Sequence, residues 1–118
     1  MNSHVEKIDN VTLLVAQGRL DFSAAASFQA QIEQVMAGAG GAGAAVIIDC
    51  QGLEYVSSAG LRVFLLAARN AQRAGLHFSV CSLQNAVREV FELSGFGRVM
   101  AVQPDRATAF AAAAGKPA

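Results

Sequence analysis

The chain has 118 residues, which is enough for one domain with a single core but leaves little room for a second. Nine basic residues balance nine acidic ones, which argues against general nucleic-acid or membrane-surface binding, because both need a basic excess. No apolar run is long enough to span a bilayer, and the first residues lack the apolar segment of a signal peptide. We therefore expect one cytoplasmic domain over residues 1–118, with its core over about 4–113.

The cysteine content favours a reducing compartment. Cys50 and Cys81 each lie in an apolar, strand-like run, so both are expected to be small buried hydrophobic residues. Two cysteines cannot form a structural zinc site without histidines, and His4 and His77 lack the spacing of ligands. The sequence therefore predicts neither a metal nor a cofactor.

The first predicted elements are two strands. A short alternating segment covers residues 4–8, and the apolar run VTLLVA follows at residues 11–16. Asp9 and Asn10 between them have turn chemistry, so the two strands should form a hairpin. Gly18 is expected to end the second strand.

A helix is predicted next, with Ser23 as its cap and Ala24 as its first residue. Apolar residues then recur at helical spacing on one face: Phe28, Ile32, Val35 and Met36. The glycine-rich segment at residues 38–43 should break this helix and form a flexible connector. It is not a phosphate loop, because no Lys-Ser or Lys-Thr pair follows it.

Strands and helices alternate over the rest of the chain. The continuous apolar run AVIIDC at residues 45–50 suits a central strand covered on both faces, and residues 51–57 are expected to form a loop. A helix ending near Gly75 follows, then a strand at residues 78–81. The apolar positions of that helix are Leu61, Phe64, Leu65, Ala68 and Ala71.

The last elements are predicted from the same signals. One helix is marked by Val87, Val90, Phe91 and Leu93 and is closed by Gly95. A short strand should cover residues 99–102, and Pro104 fits the first turn of a final helix. The alanine-rich end of that helix is expected to fray into residues 115–117.

This order predicts an α/β fold: a small mixed sheet of four to five strands with about four helices packed against it. Strand–helix repeats require right-handed crossovers and parallel strands, while the first hairpin adds an antiparallel edge. Functional loops of such sheets follow the carboxyl ends of the strands. The segments GRLD (residues 18–21) and YVSSAGL (55–61) both follow strands, so both should lie on this edge, which we call the rim.

Ser58 is the main candidate residue on the rim. Its hydroxyl could cap the following helix by accepting a hydrogen bond from the amide of Gly60 or Leu61. The same helix start would also tolerate a phosphate, because its amide groups and dipole are positive. Gly60 would leave room for a bulky group or for a partner's backbone. A phosphoserine would add a charge of about −1.5 to −2 and break contact with an acidic or apolar partner.

Catalysis by Ser58 is not expected. The G-x-S-x-G pattern is absent, because Val56 stands where its first glycine should be. His77 opens the strand after the next helix and should lie at the opposite end of the sheet, so no base is available. We therefore expect a protein that is not an enzyme.

Four other residues could contribute to the rim. Ser57 is a second candidate for both the cap and the phosphate acceptor. Asp21 either favours the start of a helix or orients the Ser58 hydroxyl and touches a partner. Asp49, at the predicted end of the central strand, either points towards the rim or binds loop amides. Arg62 should be exposed, where it could pair with a partner's acid or with a phosphate.

Residues 46–97 resemble the anti-sigma-factor antagonist branch of the STAS family. The segments that carry the resemblance are VIID (46–49), VSSAGL (56–61) and VREVFELSGF (87–96), and GRLD (18–21) matches an earlier Gly-x-Leu-Asp element of the family. The resemblance covers nearly the whole chain in the correct order. It implies a STAS fold and a function in protein binding.

The family resemblance also implies a mechanism. Unphosphorylated members bind a serine-kinase anti-sigma factor of the GHKL ATPase type, which phosphorylates them with Mg-ATP and is thereby released. A PP2C-type phosphatase restores the active form. The phosphorylated serine lies two residues before the motif glycine, which makes it Ser58 here. Some members have aspartate immediately before it, where this chain has Ser57. The implied partner-binding residues are Asp21, Ser57, Ser58, Ala59, Gly60, Leu61 and Arg62.

Two alternatives remain at this stage. A STAS domain could instead be a subunit of an ABC-type lipid transporter, packed on its cytoplasmic side. It could also bind a nucleotide, although no nucleotide motif occurs in the sequence. We expect a monomer or a weak dimer with no nucleic-acid partner and no direct insertion into a membrane.

Overall fold

The computed structural model describes residues 1–41 and 43–114, so Ala42 of the glycine-rich connector and the predicted frayed end at residues 115–117 lie outside it. Within the described residues the strands are β1 (Asn2–Ile8), β2 (Val11–Leu20), β3 (Ala45–Val56), β4 (His77–Cys81) and β5 (Ala101–Gln103). The helices are α1 (Phe22–Ala37), α2 (Ser58–Ala74), α3 (Asn85–Leu93) and α4 (Arg106–Ala113), with a 3-10 turn at Phe96–Arg98. None of these helices is both long and apolar enough to cross a membrane.

The five strands form one sheet, which is mixed as predicted, and their spatial order is β1-β2-β3-β4-β5. β1 and β2 are antiparallel, and the other neighbours are parallel. Asp9 and Asn10 join β1 to β2, because Ile8 pairs with Val11 across the turn. Asp9 has a φ of 53°, a left-handed conformation that aspartate tolerates better than most residues.

Each face of the sheet has its own apolar core. Side chains alternate along β3, so that Val46 and Ile48 face α1, α2 and α3, while Ala45 and Ile47 face α4. The larger core contains a row of aromatic rings, Phe28, Phe64, Phe91 and Phe96, whose successive centroids lie 5.8, 5.2 and 5.2 Å apart. The sheet is therefore covered on both faces, as the apolar sequence of β3 predicted.

β2 and β3 are longer than predicted. Gly18 does not end β2, because the strand continues to Leu20 through an irregularity in its pairing, where Gly18 has a φ of 98°. Residues 51–56, predicted as part of a loop, pair with this extension of β2. β4 stops at Cys81 opposite Asp49, so the last part of β3 has β2 as its strand neighbour. β2 and β3 thus form a two-stranded ribbon that projects beyond β4.

The carboxyl-terminal elements also depart from the prediction. The last strand begins at Ala101 instead of Val99, which is exposed. α4 begins after Pro104, because Asp105 is its N-cap and accepts a hydrogen bond from the Thr108 amide at 2.7 Å. Leu93, predicted to belong to an apolar face, is 83% exposed.

The two cysteines are buried and free, as predicted. Cys50 belongs to the larger core and Cys81 to the core under α4. Burial raises the pKa of both thiols, because it penalises the charged thiolate. Neither cysteine is therefore an activated nucleophile.

Asp49 does not point towards the rim. It lies within β3 on the face covered by α4, is 2% exposed, and accepts hydrogen bonds from Nε and Nη2 of Arg106 at 3.1 and 2.6 Å. Its other carboxylate oxygen accepts from the Gln51 amide at 3.0 Å, so the alternative of bonding to a nearby amide is confirmed. The hydrogen bond to Asp49 raises the pKa of Arg106. This ion pair ties the first residue of α4 to the centre of the sheet.

We predict that Arg106→Met lowers the free energy of unfolding by about 2 kcal/mol, because it leaves the Asp49 carboxylate buried without its counter-charge. The loss should be smaller than for a fully buried pair, since the Arg106 side chain is 44% exposed. Urea unfolding followed by circular dichroism measures it. Arg73→Met, at an exposed position near the end of α2, is the control and should change stability little; equal effects of the two variants would contradict the prediction.

Candidate functional site

The rim forms where the projecting ribbon ends. Leu20 and Val56 pair at the ends of β2 and β3, and the Ser57 amide then donates a hydrogen bond to the Leu20 carbonyl oxygen at 2.8 Å. The GRLD and VSSAGL segments therefore lie side by side, as predicted. The starts of α1 and α2 are held next to each other by this contact.

Ser57, and not Ser58, is the N-cap of α2. Its hydroxyl oxygen accepts a hydrogen bond from the Gly60 amide at 3.1 Å, and its carbonyl accepts one from the Leu61 amide at 2.9 Å. Of the two serines that the sequence offered as caps, the second candidate, Ser57, is confirmed and Ser58 is wrong. The reason is that β3 continues to Val56, which leaves Ser57 as the extended residue between strand and helix, with a ψ of 170°.

Ser58 is the first helical residue and is exposed. Its hydroxyl makes no hydrogen bond to any part of the chain that the structure describes. It lies at the positive end of a 17-residue helix whose first turn contains no acidic residue, and Arg62 is exposed near the same end. A negative group on Ser58 would therefore meet a favourable dipole and a nearby guanidinium.

Gly60 does not provide free space for a partner, contrary to the prediction. It is buried against the end of β2, and a Cβ atom built on it would lie 2.7 Å from Leu20 Cγ and 3.0 Å from the Leu20 carbonyl oxygen. The space beside Gly60 is therefore already filled by Leu20 of the same chain. The glycine allows α2 and β2 to approach closely.

Asp21 is the N-cap of α1, a role predicted for Ser23. Its carboxylate accepts hydrogen bonds from the Ala24 amide at 3.0 Å and from the Ser23 hydroxyl at 2.8 Å. Both hydrogen bonds lower the pKa of the Asp21 carboxyl, and the one from the Ser23 hydroxyl has the larger effect. Asp21 therefore orients the start of α1 and not the Ser58 hydroxyl.

Two exposed aromatic residues flank the rim and were not singled out from the sequence. Phe22, the first residue of α1, is 82% exposed. Tyr55 is 40% exposed, and the Arg19 guanidinium carbon lies 4.3 Å from the centre of its ring. The sequence did not indicate that the Phe22 side chain is exposed, because a phenylalanine next to a helix cap usually packs against the core. We call the exposed residues Arg19, Phe22, Tyr55, Ser58 and Arg62 the rim surface.

His77 is not near Ser58. It opens β4 opposite Ala45, at the end of the sheet away from the rim, as predicted. Within residues 1–41 and 43–114 no group of three His, Cys, Asp or Glu side chains could hold a metal ion. The rim surface therefore presents the Ser58 hydroxyl, two aromatic rings and two guanidinium groups, a set that suits binding.

We predict that Gly60→Ala destabilises the protein by about 1–3 kcal/mol, because its Cβ overlaps Leu20. Leu20→Ala should also destabilise it, but the double variant should lose less than the sum of the two, since the smaller side chain relieves the overlap. Urea unfolding of all four proteins measures this coupling. Gly97→Ala is the matched control, because nothing lies within 4 Å of a Cβ there. Additive effects at positions 20 and 60 would refute the close contact.

Sequence comparison places the chain among known proteins. A family model for the STAS domain matches residues 2–109. The BtrV protein of Bordetella bronchiseptica, named as a candidate anti-sigma factor antagonist, is 36% identical over 113 residues, which cover 95% of this chain and 94% of that protein.

Solved structures share the fold. An anti-sigma factor antagonist from Mycobacterium paratuberculosis has a TM-score of 0.84 at 23% identity, covering 95% of this chain and 92% of its own. Unphosphorylated SpoIIAA, an anti-sigma factor antagonist, has a TM-score of 0.77 at 22% identity, covering 99% of this chain and 100% of its own. At these identities the structures establish only the architecture. The family model and the 36% identical relative go further: the chain belongs to the STAS domain family, on the branch of the anti-sigma factor antagonists.

Proposed function

We propose that this protein is an anti-sigma factor antagonist that works by partner switching. Its unphosphorylated rim surface binds a serine-kinase anti-sigma factor of the GHKL ATPase type in the cytoplasm, and phosphorylation of Ser58 releases that partner. A PP2C-type phosphatase returns it to the binding form. The observation that carries this proposal is the exposed, unbonded Ser58 hydroxyl at the start of α2.

Ser58 is a better phosphate acceptor than Ser57. A hydroxyl that attacks a γ-phosphate must be free to approach it in line with the leaving oxygen. The Ser57 hydroxyl is half-buried and accepts the Gly60 amide, so modifying it would disrupt the cap of α2. Phosphorylation of Ser58 would leave that cap intact. The protein would then change its binding properties without losing its fold.

The negative charge of a phosphate on Ser58 explains why the partner would be released. Phosphate on Ser58 adds about −1.5 to −2 charge to a surface whose other exposed groups are aromatic or basic. The dipole of α2 offsets part of that charge within the free protein. A partner that covers the rim would have to bury the phosphate against itself, which costs free energy unless it supplies a cation. Binding therefore weakens while the free protein stays stable.

The contact residues implied by the family divide into two groups. Ser58 and Arg62 are exposed, and Ala59 and Leu61 are half-buried, so these four can touch a partner directly. Asp21, Ser57 and Gly60 instead hold the backbone of the rim, through the two caps and the contact with Leu20. The balanced net charge agrees with a protein partner and with no nucleic acid. We propose a monomer or a weak dimer.

The central experiment mixes the protein with Mg-ATP and a GHKL-type kinase encoded beside its gene. Intact mass should rise by one phosphate, and peptide fragmentation should place it on Ser58. Ser58→Ala should stay unphosphorylated and remain bound to the kinase, and Ser58→Asp should bind at least tenfold more weakly. An aspartate variant that binds as tightly as the natural protein would refute the electrostatic switch.

Ser57→Ala is the matched variant for this experiment. It should still accept phosphate at Ser58 but lose about 1 kcal/mol of stability, because it removes the cap. Phosphate on Ser57 in the natural protein would move the site by one residue. Neither phosphate nor complex would instead favour a subunit of an ABC-type lipid transporter.

We also predict that Phe22 anchors the partner. Phe22→Ala should weaken kinase binding about tenfold or more, because an exposed aromatic ring at the centre of an interface often dominates its affinity. Leu93→Ala is the control, since Leu93 is equally exposed at 83% but lies at the far end of α3. Isothermal titration calorimetry measures both affinities. If both variants bind like the natural protein, Phe22 lies outside the interface.

A further inference from the structure

A second candidate site lies at the end of the sheet opposite the rim. An open cleft of about 480 Å³ is lined by the second half of α2, the start of β4 and the 3-10 turn. Its polar lining consists of Arg69, Gln72, His77 and Arg98, and its apolar lining includes Leu65 and Phe78. No acidic residue lines it.

The basic side chains of this cleft come from separate elements. Arg69 and Gln72 lie one turn apart on the same face of α2, while Arg98 comes from the 3-10 turn and His77 from the start of β4. Among the described residues, neither Arg69 nor Arg98 forms an ion pair or a hydrogen bond through its side chain. The fold therefore brings two free guanidinium groups to one concave surface.

His77 supplies an independent observation. Its Nε2 atom is buried and has no hydrogen-bond partner within the part of the chain that the structure describes. A buried polar atom without a partner costs about 1–3 kcal/mol, so such atoms are uncommon in folded proteins. His77 lines the cleft, so a rotation of its ring would allow an oxygen atom of a bound ligand to become the partner of this nitrogen.

We propose that this cleft binds a small phosphate ester. A phosphate has enough acceptor oxygens to engage both guanidinium groups and an imidazole, and arginine forks match its geometry in pairs. The apolar wall formed by Leu65 and Phe78 would contact the organic part of the ester. This ligand class follows from the combination of paired cations with an apolar wall.

Phosphate-ester binding at this site is independent of partner switching. Ser58 begins α2 and Gln72 lies 14 residues later, so the two sites are separated by about 20 Å along the helix axis. A ligand in the cleft would leave the rim surface uncovered. A failure of either proposal would therefore leave the other standing.

The test uses phenyl phosphate as the probe and NMR of the full chain, including the Nε–H signals of the arginines. Saturable shifts are expected at Arg69 and Arg98, and inorganic phosphate and phenol should each bind more weakly than phenyl phosphate. Arg69→Gln and Arg98→Gln should each weaken binding about tenfold or more. Both positions are exposed, so circular dichroism should show folded variants.

Arg73→Gln is the matched control, because Arg73 is exposed on the same helix but does not line the cleft. The proposal would be overturned if Arg73→Gln weakened the binding of phenyl phosphate as much as Arg69→Gln does. It would also be overturned if the NMR shifts did not saturate or if they mapped to residues outside the cleft. Cosedimentation with phosphatidic acid vesicles, lost in Arg69→Gln, would assign the same site to a lipid headgroup. Binding of phenyl phosphate without cosedimentation would assign it to a soluble ester.

Discussion

The pairing of β2 with β3 beyond the end of β4 is the constraint on which the rim depends. It brings the end of β2 beside the start of α2, where the Leu20 carbonyl accepts the Ser57 amide and the Leu20 side chain fills the space next to Gly60. Both helix starts are fixed by this contact, because Asp21 caps α1 directly after β2 and Ser57 caps α2 directly after β3. A few contacts between β2, β3 and α2 thus determine where the rim residues lie.

Two adjacent serines acquire different roles from this geometry. Ser57 keeps an extended backbone and turns its hydroxyl back to the Gly60 amide, while Ser58 enters the helix and faces solvent. The side chains are chemically identical, so the difference comes from the backbone alone. Ser57 stabilises the backbone of the rim, and the Ser58 hydroxyl remains exposed.

Local patterns in the sequence predicted most of the fold. Apolar alternation and helical spacing indicated the hairpin, the succession of strands and helices along the chain, and core residues such as Phe28 and Phe64, since each signal is contained in a few neighbouring residues. The predictions failed where the partner is distant. Residues 51–56 look like a loop until β2 pairs with them, and nothing in the sequence indicated that Arg106, 57 positions later, binds the Asp49 carboxylate. The N-cap of α2 is Ser57 and not Ser58 for the same reason, because β3 is lengthened by its pairing with β2.

The projecting ribbon has a consequence for how the molecule can be approached. β3 continues for seven residues past its last pairing with β4, from Cys50 to Val56, and one face of this extension packs into the larger core through Leu53 and Val56. The residues that form the rim are therefore supported by the core beneath them. A surface that is already packed in this way loses little conformational entropy when a partner covers it.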